Sequence, residues 1–455
     1  MRVAGVELQG ARVTVLGLAK SGLSAIALLR AQGALVTASD EKPVSELPAA
    51  TKAMLEDVAF VRQVDDPTLG QDLVVLSPGV PGDLGILEAS RRRGTPVIGE
   101  LELASYFLTG PVLGVTGSNG KTTTTALIGH ILKHAGIDAL VGGNIGTPPT
   151  ALIGASNEDT WLVLELSSFQ LETADNFTAK IAVCLNITPD HLDRHKTMEA
   201  YKAAKARLFT TQREQSFAVL NAEDFACTEF AALTKGWPVW FSQERPVTPG
   251  LYVEDGMIML DDDPVMPVID IPLRGRHNVE NVLAAAGAAH LAGASLGEIA
   301  AAVRTFPGVE HRIEFVRERA GVAWYNDSKA TNVDAALKAI EAFDNRLWII
   351  LGGKDKDSDY RPMATALRSH VAGALLIGAA AAKIADHLGP DIPQVACGTI
   401  EAAVDHAARH AVTGEVVLLA PACASYDQFT SYEHRGRVFK ELVRALPEPA
   451  MAGRN

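Results

Sequence analysis

The sequence predicts an α/β protein of three domains, built on mainly parallel sheets. The chain has 455 residues, more than one hydrophobic core usually organises, since a domain holds about 150 residues. Short apolar strands alternate with helical segments along most of the chain, which is typical of right-handed βαβ units. Hydrophobic residues make up 47% and charged residues 21% of the chain, so extensive disorder is not expected.

The first domain is predicted to span residues 1–108. Its expected elements are strands at 13–16, 34–39 and 73–76, with a turn at 17–22 and a helix at 23–32. The turn, Gly17-Leu18-Ala19-Lys20-Ser21-Gly22, is an imperfect dinucleotide-binding fingerprint, and Asp40 follows at about the spacing of a ribose-binding acid. The pattern indicates a Rossmann-like domain that binds a diphosphate-bearing nucleotide, although a purely structural turn explains it equally well.

Two further domains are predicted, over residues 109–308 and 309–455. The expected elements of the second are strands at 112–115, 161–166, 181–185 and 217–220, a helix at 201–209, small strands within 238–273 and packed helices within 278–303. The expected strands of the third lie at 322–325, 347–351, 374–377 and 416–419, with helices between them. The strand–helix alternation makes the third domain Rossmann-like as well.

The segment Thr116-Gly117-Ser118-Asn119-Gly120-Lys121-Thr122 follows a predicted strand and opens a helix, which is the setting of a phosphate-binding loop. Its glycines let backbone N–H groups face phosphates, Lys121 can reach the outer phosphates and the Thr122 hydroxyl can bind Mg²⁺. The strict pattern has glycine at position 115, where this chain has Val115. The alternative is a glycine-rich turn without a ligand.

Three more polar residues follow or accompany the strands of the second domain. Glu165 ends a strand that should be buried, where a carboxylate is costly unless it binds a metal or forms an ion pair. His191 lies in a polar loop after the next strand, and a helix cap or a surface position would explain it equally. Lys205 is three positions after Lys202 on a predicted helix, and residue chemistry alone indicates a solvated basic face there.

Composition excludes several classes of function. The formal net charge is −13, which argues against a broad nucleic-acid-binding surface. The four cysteines are far apart and include no CxxC pair, as expected in a reducing cytoplasm. Neither the apolar stretch at 13–29 nor the alanine-rich stretch at 283–303 has the pattern of an export signal or a membrane span.

Taken together, these segments resemble the Mur ligases, the ATP-dependent amide-forming enzymes of peptidoglycan synthesis. The resemblance extends over all three domains and includes residues 114–123, Gly143-Asn144-Ile145-Gly146, residues 165–172 and Asp190-His191-Leu192-Asp193-Arg194. In the third domain, residues 326–332 and 422–429 are most similar to the family members that add D-glutamate. The resemblance also accounts for the non-strict phosphate loop.

The resemblance implies a cytoplasmic, monomeric ligase with UDP-N-acetylmuramoyl-L-alanine and D-glutamate as substrates, without nucleic-acid or membrane partners. ATP would convert the substrate carboxylate to an acyl phosphate, which the amine of D-glutamate would attack. Two Mg²⁺ ions are implied, with Lys205 carrying a carbamate. Carbamylation requires a neutral amine, although free lysine has a pKa near ~10.4, so the surroundings of Lys205 must favour that form.

The resemblance also implies roles for individual residues. The catalytic set would be Lys121, Asn144, Glu165, His191 and Lys205, and the metal ligands Thr122, Glu165, His191 and Lys205. The ATP contacts would be Gly117, Ser118, Asn119, Gly120, Lys121, Thr122, Thr123, Asn278 or Asn281, Arg312, Asp327 and Lys329. The UDP-substrate contacts would be Ser21, Gly22, Asp40, Ser77, Gly79, Asn144 and Ser167. The D-glutamate site would be lined by Lys329, Thr331, Lys356, Ser425 and Tyr432.

This chain departs from the family pattern in two places. Glu41-Lys42 follows Asp40, where threonine and arginine are frequent, so the uracil contacts can differ. The loop at 352–357 varies, so Lys354 can replace Lys356. Three other classes of protein share parts of the pattern: a P-loop ATPase coupled to movement or transport, a nicotinamide-dependent oxidoreductase and a non-catalytic nucleotide sensor.

Overall fold

The computed structural model describes residues 1–368 and 371–447 and contains three extended sheets. The chain forms two compact units. The first consists of Met1–Asp270 and Glu280–Arg304, and the second of Ile271–Val279 and the residues from Thr305 onward. No helix in these described ranges has the length and apolar character needed to cross a membrane.

The strands and helices are numbered in chain order. The strands are β1 Arg2–Val3, β2 Val6–Glu7, β3 Arg12–Leu16, β4 Leu35–Ser39, β5 Ala59–Phe60, β6 Leu73–Leu76, β7 Val97–Gly99, β8 Val112–Thr116, β9 Ala139–Gly143, β10 Trp161–Glu165, β11 Ile181–Cys184, β12 Phe217–Asn221, β13 Trp237–Ser242, β14 Gly250–Glu254, β15 Met257–Leu260, β16 Asp263–Pro267, β17 Glu314–Arg319, β18 Val322–Asn326, β19 Leu347–Gly352, β20 Val371–Ile377, β21 Gln394–Gly398 and β22 Val416–Leu419. The α-helices are α1 Lys20–Ala31, α2 Ala49–Met54, α3 Gly85–Arg92, α4 Glu100–Ser105, α5 Lys121–His134, α6 Pro149–Leu152, α7 Ser168–Leu171, α8 Leu192–His195, α9 Met198–Thr210, α10 Phe225–Phe230, α11 Arg276–Leu291, α12 Leu296–Thr305, α13 Val333–Glu341, α14 Arg361–Leu367, α15 Ala381–Leu388, α16 Ile400–His410 and α17 Tyr432–Ala445.

The first unit contains two of the sheets. The N-terminal sheet has five parallel strands in the order β5-β4-β3-β6-β7. The other has nine strands in the order β16-β15-β14-β13-β12-β11-β8-β10-β9, parallel from β9 to β14 and antiparallel from β14 to β16. The central strands β8, β10 and β11 are almost entirely buried, as expected for a parallel sheet covered by helices on both faces.

The second unit contains the third sheet, with six strands in the order β17-β18-β22-β19-β20-β21. Only the edge pair β17–β18 is antiparallel, and the other pairs are parallel. One hydrophobic cluster lies on each face, packed around Leu351 and Leu418 on one side and Ile350 and Leu419 on the other. The predicted α/β class with parallel sheets is therefore confirmed.

Several predicted boundaries shift by one to three residues in the structure. The turn expected at 17–22 ends early, because α1 already begins at Lys20. Gly22 is a buried residue of that helix, and a Cβ there would lie 1.8 Å from the carbonyl oxygen of Gly17, so glycine is required by close backbone approach rather than by a turn. The packed helices predicted within 278–303 are confirmed as α11 and α12, which begin at Arg276 and end at Thr305. The domain limits predicted near residues 108 and 308 remain predictions.

Candidate active site

The candidate site lies where three neighbouring parallel strands end. β8 pairs with β10 and β11, and in register Glu165 is opposite Val115 and Cys184 is opposite Thr116. Because the carboxyl ends of parallel strands meet at one edge, the loops that follow the three strands lie together. The glycine-rich loop, Glu165 and the polar loop at 186–195 therefore share one edge of the nine-stranded sheet, as the sequence predicts.

The loop between β8 and α5 has the conformation of a phosphate-binding loop. Gly117 and Gly120 have φ values of +145° and +87°, in the region that favours glycine. A Cβ on Gly120 would lie 2.3 Å from Oδ1 of Asn281, which also lies 3.3 Å from the Thr124 hydroxyl. Lys121 Nζ donates to the carbonyl oxygens of Gly117 and Ser118, both at 2.8 Å. The loop thus curls around its own lysine, at the N-terminus of a helix.

The following polar loop fixes the shape of this phosphate loop. Ser118 N–H donates to the carbonyl oxygen of Asn186, and Asn119 N–H donates to Asn186 Oδ1, each at 2.8 Å. The Ser118 hydroxyl lies 2.8 Å from the carbonyl oxygen of Thr188 and 3.0 Å from the Tyr201 hydroxyl. Sequence reasoning missed Asn186, Thr188 and Tyr201, because only the strand order brings them beside residues 118–119.

Glu165 and Asn144 lie together, as expected for neighbours at the ends of β10 and β9. Glu165 is 1% exposed and its Oε1 accepts a 2.9 Å hydrogen bond from Asn144 Nδ2. The Thr122 hydroxyl is also buried, and within the described part of the chain its Oγ1 has no hydrogen-bond partner. A buried carboxylate and an unsatisfied hydroxyl oxygen are hard oxygen donors of the kind that Mg²⁺ prefers. These residues therefore fit a bound metal ion.

Lys205 is buried, so the interpretation of a solvated basic helix face is wrong for this residue. It lies on the inner face of α9 with Tyr201 and Leu208, at the spacing of one helical stripe. Its side chain is 1% exposed, and Nζ donates to the carbonyl oxygen of Gly117 at 2.8 Å. Burial and, next, the positive charge of Lys121 hold the pKa of Lys205 well below its usual value. Lys202 does have the expected exposed position, paired with Glu229 at 2.8 Å.

His191 occupies the N-cap position of α8, with φ +53° and no side-chain capping hydrogen bond. Its side chain is 39% exposed, with Nε2 at 3.5 Å from Asp190 Oδ2. The ring meets Phe169 edge to face, with the centroids 4.8 Å apart. The structure thus brings His191 to the same sheet edge as Glu165, in a partly exposed position. Its role as a metal ligand remains a prediction.

The predicted UDP-binding loops lie at the carboxyl edge of the N-terminal sheet. The Asp40 carboxylate accepts hydrogen bonds from the backbone N–H groups of Leu18 at 3.0 Å and Lys42 at 3.1 Å. A Cβ on Gly17 would lie 2.9 Å from Cβ of Ser77, so the two loops are in direct contact. Asp40 therefore shapes the turn that leads into α1, the helix that carries Ser21 and Gly22; its spacing alone did not reveal this function.

Arg194 is a residue of this region to which the sequence analysis gave no role. Its guanidinium donates to the carbonyl oxygens of Pro78 at 3.0 Å and Val80 at 3.1 Å, and to Glu172 Oε2 at 2.8 Å. Ser167 forms a capping box with Gln170 at the start of α7, and its substrate contact remains a prediction. The sequence does contain that capping pattern, but no local signal connects Arg194 to residues 78–80.

The second unit gathers its own set of predicted site residues at the carboxyl edge of its sheet. Asp327 follows β18 and is 3% exposed; burial raises the pKa of its carboxyl to about 6, although the nearby charge of Arg312 opposes the rise. Lys329 Nζ lies 3.2 Å from the Tyr432 hydroxyl. Ser425 is buried after β22.

For four other predicted residues of the second unit, the structure gives the position, but their contacts do not indicate a role. Thr331 is half-buried, directly before the N-cap of α13, and Asn278 Nδ2 donates to the carbonyl oxygen of Arg274 at 2.6 Å. Lys354 and Lys356 are both exposed on the loop after β19. The choice between Lys354 and Lys356 thus stays open.

Comparisons with known proteins agree with this arrangement. Three family models match successive parts of the chain: "Mur ligase MurD-like, N-terminal domain" at residues 11–99, "Mur ligase middle domain" at 115–289 and "Mur ligase, glutamate ligase domain" at 311–423. The chain belongs to the Mur ligase family. This membership confirms the predicted three-domain class.

Two similar proteins of this family carry the same name. A UDP-N-acetylmuramoylalanine–D-glutamate ligase of Solibacter usitatus is 53% identical, covering 97% of this chain and 99% of that protein. The enzyme of the same name from Acidobacterium capsulatum is 51% identical, with 97% of each chain covered. Among solved structures, UDP-N-acetylmuramate-alanine ligase from Thermotoga maritima is 20% identical with a TM-score of 0.61, covering 96% of this Mur ligase and 99% of that chain. The structural likeness supports the fold.

Proposed function

We propose that this Mur ligase joins D-glutamate to UDP-N-acetylmuramoyl-L-alanine at the expense of ATP, through an acyl phosphate. The observation that carries the proposal is that Lys121, Glu165 and Lys205 lie at one sheet edge. Each side chain either contacts the phosphate loop or is buried beside it. The names of the relatives at 53% and 51% identity support the choice of substrates. We further propose that the enzyme acts in the cytoplasm as a monomer.

The chain's own residues are suited to bringing two anions together. The carboxylate of the UDP-linked substrate must attack the γ-phosphate of ATP, and both groups are negatively charged. The backbone N–H groups at the N-terminus of α5, from Gly120 to Thr122, can hold the phosphates, and the Lys121 ammonium lies within the same loop. Asn144 would orient the reacting carboxylate, and the hydrogen bond from its amide to Glu165 supports this role.

Two Mg²⁺ ions would reduce the repulsion between the reactants. Thr122 and Glu165 would hold one ion, since both offer buried oxygen atoms. His191 and a carbamate on Lys205 would hold the other. A neutral Nζ attacks CO₂ and loses a proton, leaving a carbamate oxygen as ligand; the low pKa that burial imposes on Lys205 supports this modification.

Asp327, Arg312 and Lys329 would contact the nucleotide, as would Asn278 or Asn281. Thr331, Ser425, Tyr432 and either Lys354 or Lys356 would hold D-glutamate, with Lys329 shared. The amine of D-glutamate attacks the acyl carbon, and inorganic phosphate leaves. The paired Lys329 and Tyr432 side chains, 3.2 Å apart, support a polar pocket here.

The test is phosphate release from ATP with UDP-N-acetylmuramoyl-L-alanine and, in separate reactions, D-glutamate, L-glutamate, L-lysine and diaminopimelate. We expect stimulation by D-glutamate alone, with the amide product accumulating in step with phosphate. Stimulation only by another amino acid would remove the assignment. Steady ATP turnover without any amino acid would favour a motor or transport ATPase, and tight NADH binding in a fluorescence titration would favour an oxidoreductase.

A further inference from the structure

Arg194 joins two loops that belong to different sheets of the first unit. It ends the motif at 190–194 on α8, and its guanidinium reaches the turn after β6. Nη1 donates to the carbonyl oxygens of Pro78 at 3.0 Å and Gly79 at 3.4 Å, and Nη2 donates to that of Val80 at 3.1 Å. Three consecutive carbonyl oxygens of one loop are thus bound by one side chain of another.

The same guanidinium is held rigidly on its other side. Nη2 donates to Glu172 Oε2 at 2.8 Å, and the Arg194 Cζ lies 4.2 Å above the centroid of the Phe169 ring. Glu172 Oε1 is 3.2 Å from His195 Nδ1, and His195 Nε2 is 2.9 Å from the Ser168 hydroxyl. With the Arg194 side chain 17% exposed, these charge-assisted contacts are partly shielded from water and stronger than surface pairs.

The two ends of this network touch the two halves of the proposed substrate site. On one side, the turn at 77–80 packs on Gly17, where a Cβ would lie 2.7 Å from Cγ2 of Val80. On the other side, Phe169 contacts the His191 ring at 4.8 Å between centroids, and Ser168 follows closely after Glu165. These contacts show that the Arg194 network connects the UDP-binding loops directly to the loops of the proposed metal site.

We infer that Arg194 is a positioning residue that sets the separation between the UDP-binding loops and the site of phosphoryl transfer, with Glu172 and His195 fixing its orientation. The inference rests on the proposed function, in which one substrate has its UDP at residues 17–22 and 77–79 and its carboxylate near Glu165. A ligand of fixed length that spans both loops binds well only when their spacing matches it. A ligand that occupies one loop does not sense that spacing.

The chemistry of the side chain makes this role specific to arginine. The planar guanidinium has five N–H donors and can bind several carbonyl oxygens and a carboxylate at once. Lysine keeps the charge but has one donor atom, so it cannot hold residues 78–80 and Glu172 in the same arrangement. Misplacement of reacting groups by about 1 Å can lower turnover roughly a hundredfold.

The experiment uses the full-length enzyme and Arg194→Lys. Dissociation constants are measured by calorimetry for UDP, for ATP with Mg²⁺ and for UDP-N-acetylmuramoyl-L-alanine, together with kcat and KM. We expect the constants for UDP and ATP to stay within about twofold, whereas the spanning substrate binds roughly tenfold more weakly and kcat/KM falls roughly ten- to a hundredfold. The matched control is Arg207→Lys, because Arg207 also contacts a backbone carbonyl oxygen and a carboxylate, those of Ala174 and Asp175, within the same domain.

Two results would overturn the inference. If Arg194→Lys weakened UDP as much as the spanning substrate, Arg194 would only shape the local loop; if neither changed, the network would be dispensable. Should Arg194→Lys fail to fold, Glu172→Gln decides by the same comparison, since it keeps the side-chain volume and removes the charge. Failure of the proposed function is seen separately, as wild-type enzyme that does not bind UDP-N-acetylmuramoyl-L-alanine or does not turn it over.

Discussion

Lys205 has an environment that a lysine side chain rarely occupies without a function. Its Nζ is buried against the carbonyl oxygen of Gly117 and the ring of Tyr201, and no carboxylate hydrogen-bonds to it within the described part of the chain. Desolvating an ammonium in this way costs several kcal/mol, on the order of the penalty for any buried ion. The neutral amine avoids that penalty, and it is the form that reacts with CO₂.

Replacement of Lys205 by alanine tests its proposed role. We expect Lys205→Ala to lose nearly all turnover, because the second metal would lack an oxygen ligand. A short-chain carboxylic acid in the assay should partly restore activity by supplying that oxygen. Lys202→Ala is the control, since Lys202 is exposed and paired with Glu229; it should retain activity. Full activity in Lys205→Ala would reject the carbamate.

At this scale, the sequence predicts residues whose chemistry is local and misses those that depend on packing. The phosphate loop at 116–122 is recognisable because glycine, lysine and threonine act within a few positions of one another. Glu165 is recognisable because a carboxylate ends an apolar strand. Lys205 required the family resemblance, and Arg194 had no local signal, since the carbonyl groups of residues 78–80 that it binds lie more than a hundred positions away.

Helix α4 connects the two sheets of the first unit through buried carboxylates at its first turn. Glu100 Oε1 accepts hydrogen bonds from Thr150 N–H at 2.8 Å and from the Thr150 hydroxyl at 2.6 Å, at the start of α6. Glu102 accepts bonds from the backbone N–H groups of Asp175, Asn176 and Phe177. Because α6 directly follows the loop that carries Asn144, Glu100 holds the helix at the end of that loop.

Glu100 should make stability fall as pH rises. Burial raises the pKa of its carboxyl from 4.5 to about 7, so the folded chain binds this proton more tightly than the unfolded chain. The contribution is full below pH 4.5 and is lost between there and pH 7, at about 1.4 kcal/mol per pH unit. Glu100→Gln can still accept both Thr150 bonds and has no such proton.

The measurement is the midpoint of thermal unfolding at pH 5 and pH 8. Between these values the midpoint of Glu100→Gln should fall less, or rise more, than that of the wild type. Glu56→Gln, at an exposed position, should behave like the wild type. An identical pH response in Glu100→Gln and wild type would show that Glu100 titrates as an ordinary carboxyl.

Strands with strong apolar patterns were predicted well. The ends of helices were predicted less well. The strands at 73–76 and 416–419 have the predicted limits, because each is a continuous run of leucine and valine with a proline two positions after it. The start of α1 was predicted three residues late, at Leu23 and not Lys20, since the contact between Gly22 and the Gly17 carbonyl exists only after folding. The boundary between the two units falls within α11, whose first residues belong to the second unit. No local feature of the sequence indicates this boundary.

The whole molecule is an acidic protein whose proposed reactants are also anionic. With a net charge of −13, it cannot attract ATP and a UDP-linked carboxylate by overall charge. The cations are instead local: Lys121 at the phosphate loop, Arg194 beside the UDP loops and Lys329 in the second unit. The sequence predicted this three-domain plan through motifs in each domain, whereas the contacts between domains of the first unit became visible only in the fold.

The central claim is that the substrate carboxylate is activated as an acyl phosphate at the edge formed by Lys121, Glu165 and Lys205. It is tested most directly with UDP-N-acetylmuramoyl-L-alanine labelled with ¹⁸O in the alanine carboxylate, ATP and D-glutamate. Because the attacking carboxylate oxygen stays with phosphorus when the amine displaces phosphate, the account predicts one ¹⁸O atom in each released phosphate. Unlabelled phosphate, formed in step with the amide product, would contradict it.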